Sequence, residues 1–214
     1  MLTIPADKCK SILCIGAHAD DIEIGCGGTI LHLSQRFPAA EIRWLVFSAN
    51  ETRRAEARTS FQAWLADSPN SSLELFKFRD GYMPSQWAEI KDVFQAEARN
   101  SNPDLVFTHH LHDRHQDHRV ISELTWNAFR SNLVLEYEIP KYEGDLGKPN
   151  LFVPLSRDIA TRKIRLLSEV FPSQQKKFWY DNSTFESLLR IRGIECRQEF
   201  AEAFHSSKTI LDLG

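Results

Sequence analysis

Residues 11–21 read SILCIGAHADD, and this stretch decides the fold. Ser11 to Ala17 is a short, mostly apolar run, the signature of a strand buried on both faces. Directly after it come His18, Asp20 and Asp21, polar groups placed where such a strand ends. Downstream, helix-like and strand-like segments alternate. Ile30, Leu33 and Phe37 fall at helical spacing within a helix expected over Gly27 to Phe37, and Glu41 to Phe47 reads as the second strand. Ala57, Phe61, Trp64 and Leu65 mark an amphipathic helix, and Leu73 to Phe78 suggests a third strand. Trp87, Ile90 and Phe94 give a helix, Leu105 to Thr108 a fourth strand, Ile121, Leu124 and Ala128 a helix, and Leu133 to Ile139 a fifth strand.

This order implies right-handed crossovers and an α/β, Rossmann-like three-layer sandwich around a mostly parallel sheet of about five or more strands. The Gly-, Pro- and charge-rich section Lys141 to Asn150 reads as a loop. Ala160, Ile164, Leu167 and Phe171 then mark a helix, and Ser183-x-x-Glu186 suggests a capping box opening another that stops at Gly193. The length of 214 residues suits one domain spanning 1–214.

Composition narrows the class. A net charge of -3 argues against a nucleic-acid partner, which selects for a basic face. No apolar run approaches the ~20 residues of a membrane span, and the opening MLTIPADKCK lacks a leader pattern. Cys9, Cys14, Cys26 and Cys196 form no CxxC pair. A reduced cytoplasmic protein is expected. Oligomeric state is unread, and a homo-oligomer stays open.

Six of the eight histidines fall in two segments: His18, and the run His109-His110-Leu111-His112-Asp113-Arg114-His115-Gln116-Asp117-His118 after the fourth strand. In a parallel sheet the carboxyl ends of strands line the ligand crevice where strand order reverses. If the first and fourth strands are neighbours there, the segments meet. Catalytic zinc takes three nitrogen or oxygen ligands and leaves one position for water, whose pKa it lowers toward ~7. His18 and Asp21 supply two ligands, and either His115 or His118 completes the set. Asp20 is then placed to take a proton from the attacking water. Solvated loops favour Lys and Glu, so solubility does not account for such a run. His32 and His205 lie outside the cluster and need no such role. Gly16, Gly25, Gly27 and Gly28 suggest a dinucleotide turn, but the spacing misses G-x-G-x-x-G, and two carboxylates in the turn repel a pyrophosphate.

At these residues the sequence resembles the PIG-L/LmbE family of metal-dependent N-deacetylases. The family's A-H-P-D-D-E is matched by Ala17-His18-Ala19-Asp20-Asp21-Ile22-Glu23, with Ala19 in place of Pro and the acid displaced to Glu23. Its D-x-H-x-D-H is matched by Asp113-Arg114-His115-Gln116-Asp117-His118. Weaker matches are Glu51 to Glu56, Asp80-Gly81, Arg192-Gly193 and Ala201 to Phe204. The resemblance implies an LmbE-like fold and Zn2+ held by His18, Asp21 and His118, with ferrous iron (Fe2+) suited to the same donors. It further implies Asp20 as general base, His115 as the group assisting the leaving amine or the oxyanion, and Asp117 as the residue orienting His115. Arg54 and Asp80 correspond to positions that hold substrate hydroxyls. The implied reaction removes an N-acyl group from an amino sugar or glycoconjugate. A zinc hydrolase of a non-sugar N-acyl amine and a metal-binding protein without catalysis are the alternatives.

Overall fold

A computed structural model of the protein describes residues 9–210, and the expected lack of a leader concerns opening residues that lie largely outside this range. In chain order the elements are β1 (Ser11–His18), α1 (Asp21–Arg36), β2 (Glu41–Ser48), α2 (Glu51–Trp64) and β3 (Ser71–Leu75). A 3-10 turn (Met83–Gln86) leads into α3 (Trp87–Asn100), followed by β4 (Leu105–His109), α4 (Gln116–Ala128) and β5 (Leu133–Tyr137). The last described elements are β6 (Leu151–Leu155), α5 (Arg157–Val170), α6 (Asn182–Glu195) and β7 (Phe200–His205). They build one seven-stranded sheet in the order β3-β2-β1-β4-β5-β7-β6. The first five strands pair in parallel, while β7 runs antiparallel to both β5 and β6.

The alternation along β1 builds both cores. Ile12 and Cys14 pack on one face with Trp44, Trp64 and Tyr137, and Leu13, Ile15 and Ala17 pack on the other with Phe47 and Val106. Side chains two apart share a face, so a continuous apolar run is what a sheet covered by helices on both sides requires. Among the described residues no helix is long and apolar enough to cross a membrane.

Several expected boundaries move. α1 begins at Asp21, not Gly27, and leaves helical geometry at Cys26 (φ -140°, ψ 15°), so the expected segment is the part beyond a kink. There the N–H groups of Gly28 and Thr29 donate to the buried Glu202 carboxylate of β7 at 2.7 and 2.6 Å, and Lys163 Nζ donates to the same carboxylate at 2.6 Å. The protein's own carboxylate fills the position a phosphate takes at a helix start. β3 ends at Leu75 where a strand to Phe78 was expected, although Phe76 and Phe78 still donate to Val46 and Phe47 carbonyls at 2.8 and 3.1 Å. α6 is capped by Asp181, which accepts from Ser183 N and Thr184 N at 2.7 and 3.2 Å, so the capping residue lies two positions before Ser183. Gly193 lies inside that helix, where a Cβ would come within 2.6 Å of the Glu199 carbonyl oxygen. It permits a close approach to the chain entering β7 and does not stop the helix.

Gly25 has a related role: any side chain there would overlap the ring of Tyr137, whose hydroxyl donates to Ile15 O at 2.7 Å. Overpacking a filled core costs about 1–3 kcal/mol or more. Gly25→Ala is therefore expected to lower the unfolding free energy by that amount, read as a lower denaturation midpoint; an unchanged midpoint would show the contact to be soft.

Candidate metal centre

The expectation that β1 and β4 lie side by side is met, and the sheet reverses its order between them. His18 and His109 are the last residues of these strands, and both reach the carboxyl edge. Asp20 caps α1 in the left-handed region (φ 116°), a conformation that strains a non-glycine residue by about 1–3 kcal/mol. That turn puts Asp21 in the first helical turn, beside His18. His115 caps α4, and Asp117 and His118 occupy its first turn.

Three side chains converge there. His118 Nε2 lies 3.3 Å from His18 Nδ1 and 3.6 Å from Asp21 Oδ1, and His18 Nδ1 lies 3.4 Å from Asp21 Oδ2. A tetrahedral zinc with bonds of about 2.0–2.2 Å sets its ligand atoms roughly 3.3–3.6 Å apart. Both imidazoles turn their other nitrogen to a carboxylate: His118 Nδ1 to Asp113 Oδ2 at 2.9 Å, and His18 Nε2 to Asp117 Oδ2 at 3.2 Å and Asp80 Oδ1 at 3.1 Å. A carboxylate behind a histidine fixes the tautomer and leaves the lone pair facing inward. Asp113 is itself held by Lys141 Nζ and by the His115 N–H, each at 2.8 Å. The two Asp21 distances run to different oxygens, and the described sets offering one donor atom each within 4.8 Å of one another are His18–His115–His118, Asp21–His109–His118 and His18–Asp80–Asp117. Two or more imidazoles with a surplus of carboxylates suit a dication.

His109 is a second contender. Fully buried, it stacks on His118 with centroids 3.9 Å apart, and its Nε2 is 3.2 Å from Asp21 Oδ2. That nitrogen already accepts the Ala17 N–H at 3.0 Å, so its lone pair is used. His18 Nδ1 carries the freer lone pair.

Electrostatics separate the members. Burial pushes the Asp20 carboxyl up to about 6, against the pull of Arg53, whose guanidinium lies 2.7 Å away. Burial and the neighbouring His109 depress His118 to about 3. His18 is the opposite case: burial opposes protonation, but Asp117, Asp21 and Asp80 outweigh it and raise its pKa. Burial and the nearby His18 lower His115. His115 Nδ1 accepts the Asp117 N–H at 3.3 Å, which leaves Nε2 to carry the proton of the neutral ring.

The remaining expected residues fall as follows. The Asp117 carboxylate faces His18 and the N–H groups of Gly81 (2.7 Å) and Met83 (3.1 Å), and it is the main chain of Asp117 that meets His115. Asp80 is exposed and reaches His18. Arg54 lines the adjoining cleft, but its guanidinium donates to the Leu75 and Phe76 carbonyls at 3.2 Å each. The arginine against Asp20 is Arg53, which also pairs with Glu56 at 2.6 Å. The cleft has a volume of about 480 Å³, with His18 in its wall beside Asn50, Arg53 and Arg54. His205 stacks on His110 at 3.7 Å, in a separate group around Glu136.

The sheet and the cluster at its reversal define an α/β protein of the LmbE-like class. Residues 13–129 match the family described as GlcNAc-PI de-N-acetylase, PIG-L, and the chain belongs to that family. It is 29% identical over 175 residues to the uncharacterized deacetylase YaiS of Escherichia coli strain K12, covering 77% of this chain and 92% of that protein. The N,N'-diacetylchitobiose deacetylase of Pyrococcus horikoshii, solved with its inhibitor MPG, superposes with a TM-score of 0.69 at 22% identity, covering 94% of this chain and 85% of that one. GalB, the 4-carboxy-2-hydroxymuconate hydratase of Pseudomonas putida KT2440, gives 0.71 at 18% identity, covering 96% and 99%. Likeness at such identity shows the fold. A deacetylase and a hydratase share it, so the chemistry must be argued from the site.

Proposed function

We propose that the protein is a metal-dependent N-deacetylase that hydrolyses the N-acyl group of an amino sugar or glycoconjugate. The observation that carries this reading is the convergence of His18, His118 and Asp21 with Asp20 and His115 beside them. Family membership supports the reaction, and the sugar is suggested by the family's description and by the chitobiose enzyme of the same fold. Zinc suits the donors, and ferrous iron uses the same set. The four cysteines are free thiols, in keeping with the cytoplasm.

His18, Asp21 and His118 hold the cation, which when bound supplies a Lewis acid for the amide carbonyl and an acidified water. Asp20, buried and paired with Arg53, takes the proton of the attacking water. Arg53 keeps that carboxylate aimed without neutralising it by a proton. His115 offers an Nε2–H to the oxyanion or the departing nitrogen, as the bond at its Nδ1 dictates.

Asp113 positions His118, and breaking such a pair typically costs 10–100-fold in metal affinity, roughly, or in activity. Asp113→Asn is expected to weaken zinc binding by about that factor in a chelator competition; unaltered affinity would exclude the positioning role. The reaction itself is tested by acetate release from a panel of N-acetylated saccharides and simple N-acyl amines with zinc loaded. Turnover of the saccharides supports the reading. Turnover of the amines alone moves the substrate class, and inactivity on both with metal bound ends it.

A further inference from the structure

The guanidinium beside Asp20 is itself held from behind. Arg53 Nη2 meets Asp20 Oδ1 at 2.7 Å, while Nη1 donates to Glu56 Oε2 at 2.6 Å and to Ser173 Oγ at 3.3 Å. The same buried Glu56 carboxylate accepts the Ser173 N–H at 2.9 Å and the Ser173 hydroxyl at 2.8 Å. Ser173 lies 120 residues beyond Arg53, in the segment between α5 and α6, and Gln174 Nε2 donates to its Oγ at 2.9 Å. At the start of that segment the ring of Phe171, fully buried, lies against the guanidinium with its centroid 5.2 Å from Arg53 Cζ.

This is more than the charge of one arginine needs. Asp20 alone balances Arg53, and burying a second carboxylate carries a desolvation cost that its bonds must offset. What the second carboxylate fixes is orientation. Arginine grips a carboxylate most strongly through two parallel N–H bonds. End-on, that grip uses Nη1 and Nη2 together and occupies both carboxylate oxygens. Here the two N–H bonds of Nη1 go to Glu56 and Ser173, so Nη2 is what that end offers to Asp20 Oδ1.

We infer that Glu56 and Ser173 are positioning residues, which restrict Arg53 to a one-pronged contact with Asp20 and keep the second Asp20 oxygen free for the proton of the attacking water. This rests on the N-deacetylase reading and extends its machinery to the segment between α5 and α6. Glu56→Gln keeps the side-chain volume but sets an amide N–H₂ against Arg53 or the Ser173 N–H, donor facing donor. Ser173→Ala removes the hydroxyl, and Ser173→Thr keeps it.

The experiment follows acetate release by the zinc-loaded protein from whichever of N-acetylglucosamine, its methyl glycoside and N-acetylbutylamine the wild type turns over fastest. Glu56→Gln is expected to lower kcat by about 10- to 100-fold, the range that a misplacement of roughly 1 Å can cost, with a much smaller change in KM. Ser173→Ala should lower kcat by about 2- to 10-fold, the worth of one hydrogen bond, and Ser173→Thr should recover most of that loss. Zinc affinity in a chelator competition should stay that of the wild type. On an Asp20→Asn background Glu56→Gln should lose nearly all its effect, because residues acting through one group are not additive. Undiminished kcat in Glu56→Gln and Ser173→Ala overturns the inference. So does an equal factor on both backgrounds, or a loss of zinc affinity that accounts for the loss of rate. If Glu56→Gln does not fold, the Ser173 variants run the same cycle.

The arginine side-chain spectrum of the nitrogen-labelled protein separates this from the chemistry, with the Arg53 signals assigned by their loss in Arg53→Lys. A guanidinium pinned at both ends should give separate Nη resonances in the wild type, merged by rotation in Glu56→Gln. If no probe releases acetate the deacetylase reading fails, while that spectral change still supports the restraint on Arg53. Identical Arg53 signals in the two proteins overturn it.

Discussion

Asp20→Asn is expected to keep one zinc per chain and to lower kcat by about 10²–10⁴-fold, the usual contribution of a positioned general base. Asparagine keeps the shape of the side chain and tolerates positive φ better than alanine does. The left-handed turn at Asp20 (φ 116°) therefore survives the change. Only the capacity to accept a proton is removed. Arg53 loses its carboxylate neighbour but keeps Glu56 at 2.6 Å, so the melting temperature should move little compared with the rate. Metal analysis, thermal melting and steady-state kinetics on one preparation separate these effects. Wild-type turnover in the variant would show that the proton goes elsewhere.

The second large effect is on the metal. His118→Ala removes one of three proposed ligands and leaves Asp113 with Lys141 as its main partner. Zinc sites of full protein ligation bind with apparent free energies of about 10–16 kcal/mol, so losing one ligand in three weakens binding by on the order of 10³-fold. The variant should emerge from dialysis against a mild chelator without zinc and without activity. Added zinc should raise the melting temperature of the wild type, by linkage worth about 2.7 kcal/mol at a hundredfold excess over Kd, and leave the variant unmoved. A variant that still binds one zinc with native affinity would transfer the ligand role to His109, the histidine stacked on it.

How much could be read beforehand follows from where the physics is local. β1, β2 and β4 lie in the middle of the sheet, covered on both faces, and their apolar runs announce them. β6 and β7 escape notice for physical reasons. β6 carries Pro154, which demotes a strand in sequence reading yet is tolerated at an edge, and β6 is the edge next to β7. β7 buries Glu202, a carboxylate satisfied by backbone N–H groups and Lys163 from distant elements, so its pattern looks polar. The glycines of α1 suggest a dinucleotide turn in the sequence, but the neighbours that require them, Tyr137, Trp64 and Leu155, come from far along the chain.

In the centre, His18, Asp20, Asp21, His115 and His118 were legible because motif and strand end coincide. Arg53 was not, because a step of one residue turns a helix by roughly 100° and only coordinates decide whether it or Arg54 meets Asp20. Asp113 stood in plain view within D-x-H-x-D-H, and a carboxylate five residues before His118, the proposed ligand, could have been read as its partner. The turning of Asp117 toward His18 depends on the loop bearing Gly81 and Met83, which sequence spacing does not encode.

The place of β7 between β5 and β6 has a consequence for how the molecule assembles. Among the described residues the last strand in sequence, β7, is an interior one, and β6 pairs with no strand but β7. Until residues 200–205 arrive, β6 has nothing to zip onto and the kinked helix start at Gly28 lacks its carboxylate. Pairings between such distant parts of a chain form slowly. Closure of this end of the sheet thus waits on residues 200–205, and until they pair the β5 edge stands open to chaperones or neighbouring chains.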